Sequence, residues 1–148
     1  MNVNSILKNL LLQTVPRDAT MGVMKQKILI ADDDHDLVSV LGDRLISEGY
    51  ETINSYEGIR TIEAANRKKP DLIVLDWMMP TGNGSRVLES LSERESTRDI
   101  PVIILTGVNP TTIAETAKQL GVKKIMRKPY EFSDLLTAIQ GILKKTSE

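Results

Sequence analysis

The sequence predicts an α/β protein, a doubly wound sheet of five parallel strands with helices on both faces. Three observations lead there. Short apolar runs at Ile28 to Ala31, Leu72 to Leu75 and Val102 to Leu105 contain no polar residue, as strands buried on both faces do. Stretches with helical spacing separate them, the alternation that builds a parallel sheet. Each run also stops abruptly on polar residues: Asp32-Asp33, Asp76 and Thr106. Parallel strands point one way, so these ends share the sheet edge at which open α/β folds bind ligands.

The elements follow in order. Residues 1–24 stand apart as an N-terminal extension, read as a short helix plus linker. Ile6, Leu7, Leu10 and Leu11 fall on one helical face, Pro16 closes the segment, and Arg17 to Gly22 reads as the linker. No basic residues precede the apolar ones and no small-residue cleavage site follows, which argues against a secretory signal. Three roles stay open: residues upstream of a true start at Met21 or Met24, a helix docked on its own domain, or a docking helix for a partner.

Residues 25–148 are the domain proper. After the first strand, Asp34 to Glu48 is a helix with Leu37, Val40, Leu41 and Leu45 inward and Gly49 as its stop. Tyr50 to Ser55 is a more polar strand, suited to a sheet edge. Ile59 to Lys68 is helical, and Pro70-Asp71 turns the chain into the third strand. Pro80, Gly82 and Gly84 supply turn chemistry before a helix over Ser85 to Arg94. Ile100 to Leu105 is the fourth strand, and Thr111 to Leu120 is a helix ended by Gly121. A weaker strand, Lys124 to Arg127, runs into Lys128-Pro129 and brings a cation to the polar edge. The last helix, Phe132 to Lys145, buries Leu135, Ile139, Ile142 and Leu143. Only Thr146, Ser147 and Glu148 follow, so no output domain is expected after it.

Composition narrows the function. A chain of 148 residues is about one domain. Its 19 Lys+Arg and 20 Asp+Glu leave a formal charge of -1, with no basic field for nucleic acid or anionic lipid. There is no cysteine, which removes disulfides, thiolate nucleophiles and zinc–thiolate sites. Trp77, Phe132, Tyr50, Tyr56 and Tyr130 are the only aromatics, too few for a single-strand stacking platform. No apolar stretch approaches the roughly 20 residues that span a bilayer. The expectation is a cytoplasmic protein without nucleic-acid or membrane partners.

The polar edge has a definite chemistry. Two like unit charges about 4 Å apart repel by roughly 4 kcal/mol at an effective dielectric near 20. Asp32, Asp33 and Asp76 held together therefore need compensation, and a hard divalent cation with oxygen ligands provides it. Mg²⁺ suits one or two carboxylates, waters and a phosphate. Lys128 adds a point charge for a phosphate oxygen. Thr106 adds a hydroxyl, with Gly107 leaving room beside it. The set reads as a phosphoryl-transfer site with a carboxylate acceptor. Asp34 is read as a helix cap. Asp32-x-Asp34-x-Asp36 mimics the start of an EF-hand loop but has Leu37 where Gly is required. His35, the only histidine, is expected exposed at a helix N-terminus, with no second ligand for a metal.

Ile28-Leu29-Ile30-Ala31-Asp32-Asp33-Asp34, Leu72-Ile73-Val74-Leu75-Asp76-Trp77-Met78-Met79-Pro80, Pro101-Val102-Ile103-Ile104-Leu105-Thr106-Gly107 and Lys128-Pro129 together resemble the receiver domain of two-component response regulators, of the chemotaxis-regulator kind. The resemblance covers about Lys27 to Lys145. It implies a flavodoxin-like fold with strand order 2-1-3-4-5. It implies Asp76 as phosphoacceptor, with a sensor histidine kinase or histidine phosphotransfer protein as donor. Asp33, Asp76 and the backbone carbonyl of Met78 would bind Mg²⁺ directly, and Asp32 through a water. Lys128 would neutralise phosphoryl oxygens, its bond to Pro129 cis, and Thr106 would turn inward to the phosphate. Such a protein is a signalling regulator rather than an enzyme, read out by protein–protein contacts.

The sequence departs from that family at two places. Ile125 stands where an aromatic switch residue is usual, and Lys123-Lys124 replaces acidic residues common in DNA-binding members. Met78 and Val108 flank the expected phosphoryl position with apolar side chains that cannot orient water, which implies slow self-hydrolysis. Competing readings are a phosphorylation-independent binding module and a receiver fragment of a larger regulator. A phosphohydrolase would need a second Asp near Asp76, and position 78 is Met. No Gly-rich nucleotide loop is present for direct use of ATP.

Overall fold

In the computed structural model, which describes residues 24–80 and 83–147, strands and helices alternate as five βα units. The expected N-terminal helix and linker, and Gly82, lie outside the described residues. The strands are β1 (Lys27–Ala31), β2 (Glu51–Ser55), β3 (Leu72–Asp76), β4 (Val102–Thr106) and β5 (Lys124–Arg127). All pair in parallel, in the order β2-β1-β3-β4-β5, as the resemblance implied. The polar strand β2 is at an edge. Register then levels the strand ends: Ala31 lies opposite Leu75, Asp76 opposite Leu105, and Thr106 opposite Arg127. Asp32, Asp76, Thr106 and Lys128 consequently emerge within one residue of a common line.

Side chains alternate between the two faces of the sheet, and each face takes its own helices. Ile28, Ile30, Leu72, Val74, Ile103 and Leu105 pack with α1 (His35–Ser47) and α5 (Phe132–Ser147). Leu29, Ala31, Ile73, Leu75, Val102 and Ile104 pack with α2 (Gly58–Lys68), α3 (Gly84–Ser92) and α4 (Pro110–Gln119). Fully burying one such side chain contributes about 1.5–3 kcal/mol, so two continuous cores hold the sheet rigid beneath its polar edge.

Local chemistry fixes where the helices begin. Asp34 caps α1 through its Oδ1, which accepts from the Leu37 N–H at 3.1 Å. Asn83 caps α3 and Asn109 caps α4, the latter with Pro110 at the first helical position. Gly49 and Gly121, at φ of 98° and 78°, take the left-handed turns after α1 and α4.

Four expectations shift. Val40 does not face inward: it is 61% exposed, while Val38 is fully buried. Val38, Leu41 and Leu45 form the stripe facing the sheet, Leu37 is half-buried at its border, and Val40 lies about 200° around from Val38. The third helix ends at Ser92, and β4 begins at Val102 because Pro101 has no N–H to donate, although its carbonyl accepts from Ile73 at 3.0 Å. Ile142 is half-buried rather than buried. No helix among the described residues is long and apolar enough to cross a membrane.

Candidate functional site

The loop after β1 presents two adjacent aspartates in unlike environments. Asp32 is 1% exposed, whereas Asp33 is exposed to solvent. The Asp32 N–H donates to the Ser55 carbonyl at 3.1 Å, which fixes the residue beside β2. Its Oδ1 accepts from the Asp34 N–H at 3.0 Å, and its Oδ2 accepts from Lys128 Nζ at 2.7 Å. Asp76, the last residue of β3, is 5% exposed. Its Oδ1 accepts from the Met78 N–H at 3.3 Å and lies 3.6 Å from Lys128 Nζ. Carboxylate oxygens of Asp32, Asp33 and Asp76 all fall within 4.8 Å of one another.

Three carboxylates facing one ammonium leave the cluster rich in negative charge. Asp76 is pushed up to about 6, first by burial and then by the charge of Asp32; Lys128 and the Met78 N–H pull it back, and Asp33 adds a smaller push. Burial alone would lower the Lys128 ammonium, but its hydrogen bond to Asp32 and the charges of Asp76 and Asp32 outweigh that and hold it above its usual value. The donor set is oxygen only, closely spaced and anionic, which fits a hard divalent cation such as Mg²⁺.

The neighbouring strands brace this arrangement. Lys128 N–H donates to the Thr106 carbonyl at 2.7 Å, and Trp77 N–H donates to the Leu105 carbonyl at 3.0 Å. The Lys128–Pro129 bond is cis. Thr106 is fully buried, and its Oγ1 accepts from the Val108 N–H at 3.1 Å, so its hydroxyl is engaged with its own loop rather than with the carboxylates. Met78 and Val108 expose their side chains, at 61% and 38%.

Some contributors were not legible from residue type. A Cβ on Gly84 would sit 2.7 Å from Trp77 Cε3 and 3.0 Å from Trp77 Cα, and the Gly84 N–H donates to the Trp77 carbonyl at 2.7 Å. Gly84 is thus required by the close approach of Trp77 as well as by turn chemistry. Tyr130, two residues past Lys128, is half-buried; burial pushes its phenol up, Lys128 pulls it back and Asp32 adds to the rise. His35 is exposed as expected, yet its ring stacks on Tyr56 at 3.8 Å and 5°, tying the start of α1 to the end of β2.

Comparison with known proteins agrees with this geometry. The model of the response regulator receiver domain matches residues 28–140. The chain is 31% identical to the transcriptional regulatory protein PdtaR of Mycobacterium tuberculosis, over 91% of this chain and 65% of that protein. It is 32% identical to the probable transcriptional regulator ycf27 of Porphyridium aerugineum, over 85% of this chain and 51% of the relative. It therefore spans about half to two thirds of the length of these curated relatives. Among solved structures it resembles the receiver domain of the sensor histidine kinase PA1611 from Pseudomonas aeruginosa, which holds a magnesium ion in its active-site cleft. That likeness has a TM-score of 0.70 at 27% identity, over 82% of this chain and 96% of that one. The family match runs from the first strand into the last helix and takes in the whole acidic edge, and the chain belongs to the response regulator receiver domain family.

Proposed function

We propose that this receiver takes a phosphoryl group onto Asp76, in a Mg²⁺-dependent reaction, from a histidine of a sensor histidine kinase or histidine phosphotransfer protein. The observation that carries it is the 4.8 Å cluster of Asp32, Asp33 and Asp76 with Lys128 Nζ 2.7 Å from Asp32 and 3.6 Å from Asp76. A carboxylate oxygen of Asp76 forms the new P–O bond as the P–N bond to the donor imidazole breaks, and the imidazole leaves as the neutral ring with its proton. Asp33, Asp76 and the Met78 carbonyl would hold the metal directly, and Asp32 would hold it through a water. When bound, Mg²⁺ neutralises charge on the phosphoryl oxygens in the transition state. Lys128, already between two carboxylates, meets a phosphoryl oxygen with its ammonium. Thr106 exchanges its bond with the Val108 N–H for one to the phosphate and so carries the event into β4.

The chain is on this reading a cytoplasmic signalling regulator, altered by the reaction and not an enzyme acting on other substrates, and protein partners read its state. A second reading, a receiver working within a larger regulator, draws on the greater length of PdtaR and ycf27 and keeps the same chemistry at Asp76.

Trp77 adjoins the acceptor and is the only tryptophan, so its fluorescence reports on the site. We expect a response to Mg²⁺ and a second response to acetyl phosphate that is absent in Asp76→Ala. A second response that survives in Asp76→Ala overturns Asp76 as acceptor, and a response to Mg²⁺ alone favours the phosphorylation-independent binding module. Met78 and Val108 offer attacking water no side-chain acceptor, so the acyl phosphate is long-lived. Decay of the same signal should quicken in Met78→Asn with Val108→Glu.

A further inference from the structure

Of the three aspartates at the acidic edge, Asp33 alone has a carboxylate with no hydrogen bond or ion pair among the described residues. Asp32 and Asp76 are buried and bonded, whereas Asp33 is exposed and repelled by the charges beside it. Repulsion of this kind drives an unheld loop outward. The Asp33 carboxylate nevertheless stays within 4.8 Å of the other two, so its backbone must be held from elsewhere.

The hold comes from the end of β2. The Ser55 carbonyl accepts from the Asp32 N–H at 3.1 Å, and Tyr56, the next residue, carries the His35 ring at 3.8 Å between centroids and 5° between planes. Residues 55 and 56 thus grip both ends of the stretch 32–35, with Asp33 inside it. The grip has a firm base. Tyr56 is half-buried and packs against the core between α1 and the sheet. Its neighbours Ser55 and Glu57 are both tied to Thr61 in the first turn of α2. The Ser55 and Thr61 hydroxyls share a hydrogen bond at 2.9 Å, and Thr61 Oγ1 donates to the Glu57 carbonyl at 2.8 Å. Asp33, His35 and Tyr56 line one cleft of about 880 Å³, so the stack sits beside the acidic pocket. His35 itself is exposed and completes no core; its stacking acts on the segment that bears it.

We propose that His35 and Tyr56 are positioning residues, whose stack sets the loop that places Asp33 for a divalent cation. This rests on the reading of the acidic edge as a Mg²⁺ site. With the stack in place the Asp33 carboxylate is near its partners before the cation arrives, and no ordering of the loop opposes binding. Without it, repulsion from Asp32 and Asp76 moves the carboxylate away, and the cation has to draw it back. His35 acts through the face of its ring and is not a metal ligand.

The test uses the full chain and Mg²⁺ alone, read by Trp77 fluorescence at about pH 8, with the Mg²⁺-dependent rise in Tm as a second readout. We expect His35→Ala and Tyr56→Ala each to raise the Mg²⁺ Kd about tenfold, as loss of a group that orients a metal ligand does. The double variant should bind no more weakly than either single one, because each removes the same stack. His35→Phe keeps a flat ring and should return Kd to within about twofold of wild type. An unchanged Kd in His35→Ala overturns the proposal, and a lowered Tm in EDTA beside it makes the stack structural only. Losses that add in the double variant overturn it as well. So does a Kd raised as much in His35→Phe as in His35→Ala, which makes the imidazole nitrogens the active part. Each of these results leaves Asp76 as acceptor, whereas a wild type with no Mg²⁺ response in either readout overturns this proposal and the reading of the acidic edge together.

Discussion

Asp76 is nine-tenths buried beside two other carboxylates, and its raised affinity for a proton has a measurable consequence for stability. The unfolded side chain titrates near 3.8 and the folded one at about 6. Between those values the native state holds the extra proton, so stability falls as pH rises from about 4 to about 6 and then stays reduced. A shift of roughly two units corresponds to at most about 3 kcal/mol. Asp76→Asn removes that ionisation. In EDTA it should exceed wild type by about 1–3 kcal/mol at pH 8 by urea denaturation, with the gap closing below pH 4. A gap of the same size at both pH values contradicts the charged-pocket argument. The identity of the acidic residues was legible because each ends a buried run. The unlike burial of Asp32 and Asp33 was not, because two identical neighbours are told apart only by the Ser55 carbonyl, the Asp34 N–H and Lys128.

The helices show where periodicity suffices and where it does not. The start of α1 was readable, since Asp34 has a side chain that caps a first turn, whereas the caps Asn83 and Asn109 were not read and place the starts of α3 and α4 one residue earlier than expected. The phase of α1 was ambiguous because apolar residues at 37, 38, 40, 41 and 45 satisfy two adjacent stripes, and only the sheet against which the helix lies chooses between them. The choice can be measured with one substitution at two sites. Val38→Ala removes two methyl groups from a fully buried position and should destabilise by about 2 kcal/mol. Val40→Ala, on the exposed side, should change stability by less than about 0.5 kcal/mol. Equal losses in urea denaturation would place Val40 in the core after all. The same helix carries Arg44 over the Phe132 ring at 4.0 Å, a contact between α1 and α5 that no local pattern in either helix announces.

The whole molecule adds what neither residue nor element supplies, a common level for the strand ends. Parallel strands and helices on both faces follow from the pattern of apolar runs, but the order of the strands came through the family resemblance. Register then brings residues 44 and 96 positions away from Asp32 into one pocket. Only the native chain holds this arrangement, so a cation bound there stabilises folding through mass action, by about 2.7 kcal/mol at a hundredfold excess over Kd. For a domain of this size that raises Tm by about 10 °C. Asp33→Ala should abolish most of that rise. In EDTA the same variant should melt slightly above wild type, because an exposed carboxylate that repels Asp32 and Asp76 has gone while the Lys128 pair is intact. The two opposite signs from one substitution separate a charge-crowded metal pocket from an ordinary structural aspartate. An ordinary aspartate would give a lower Tm in EDTA and leave the Mg²⁺ shift in place.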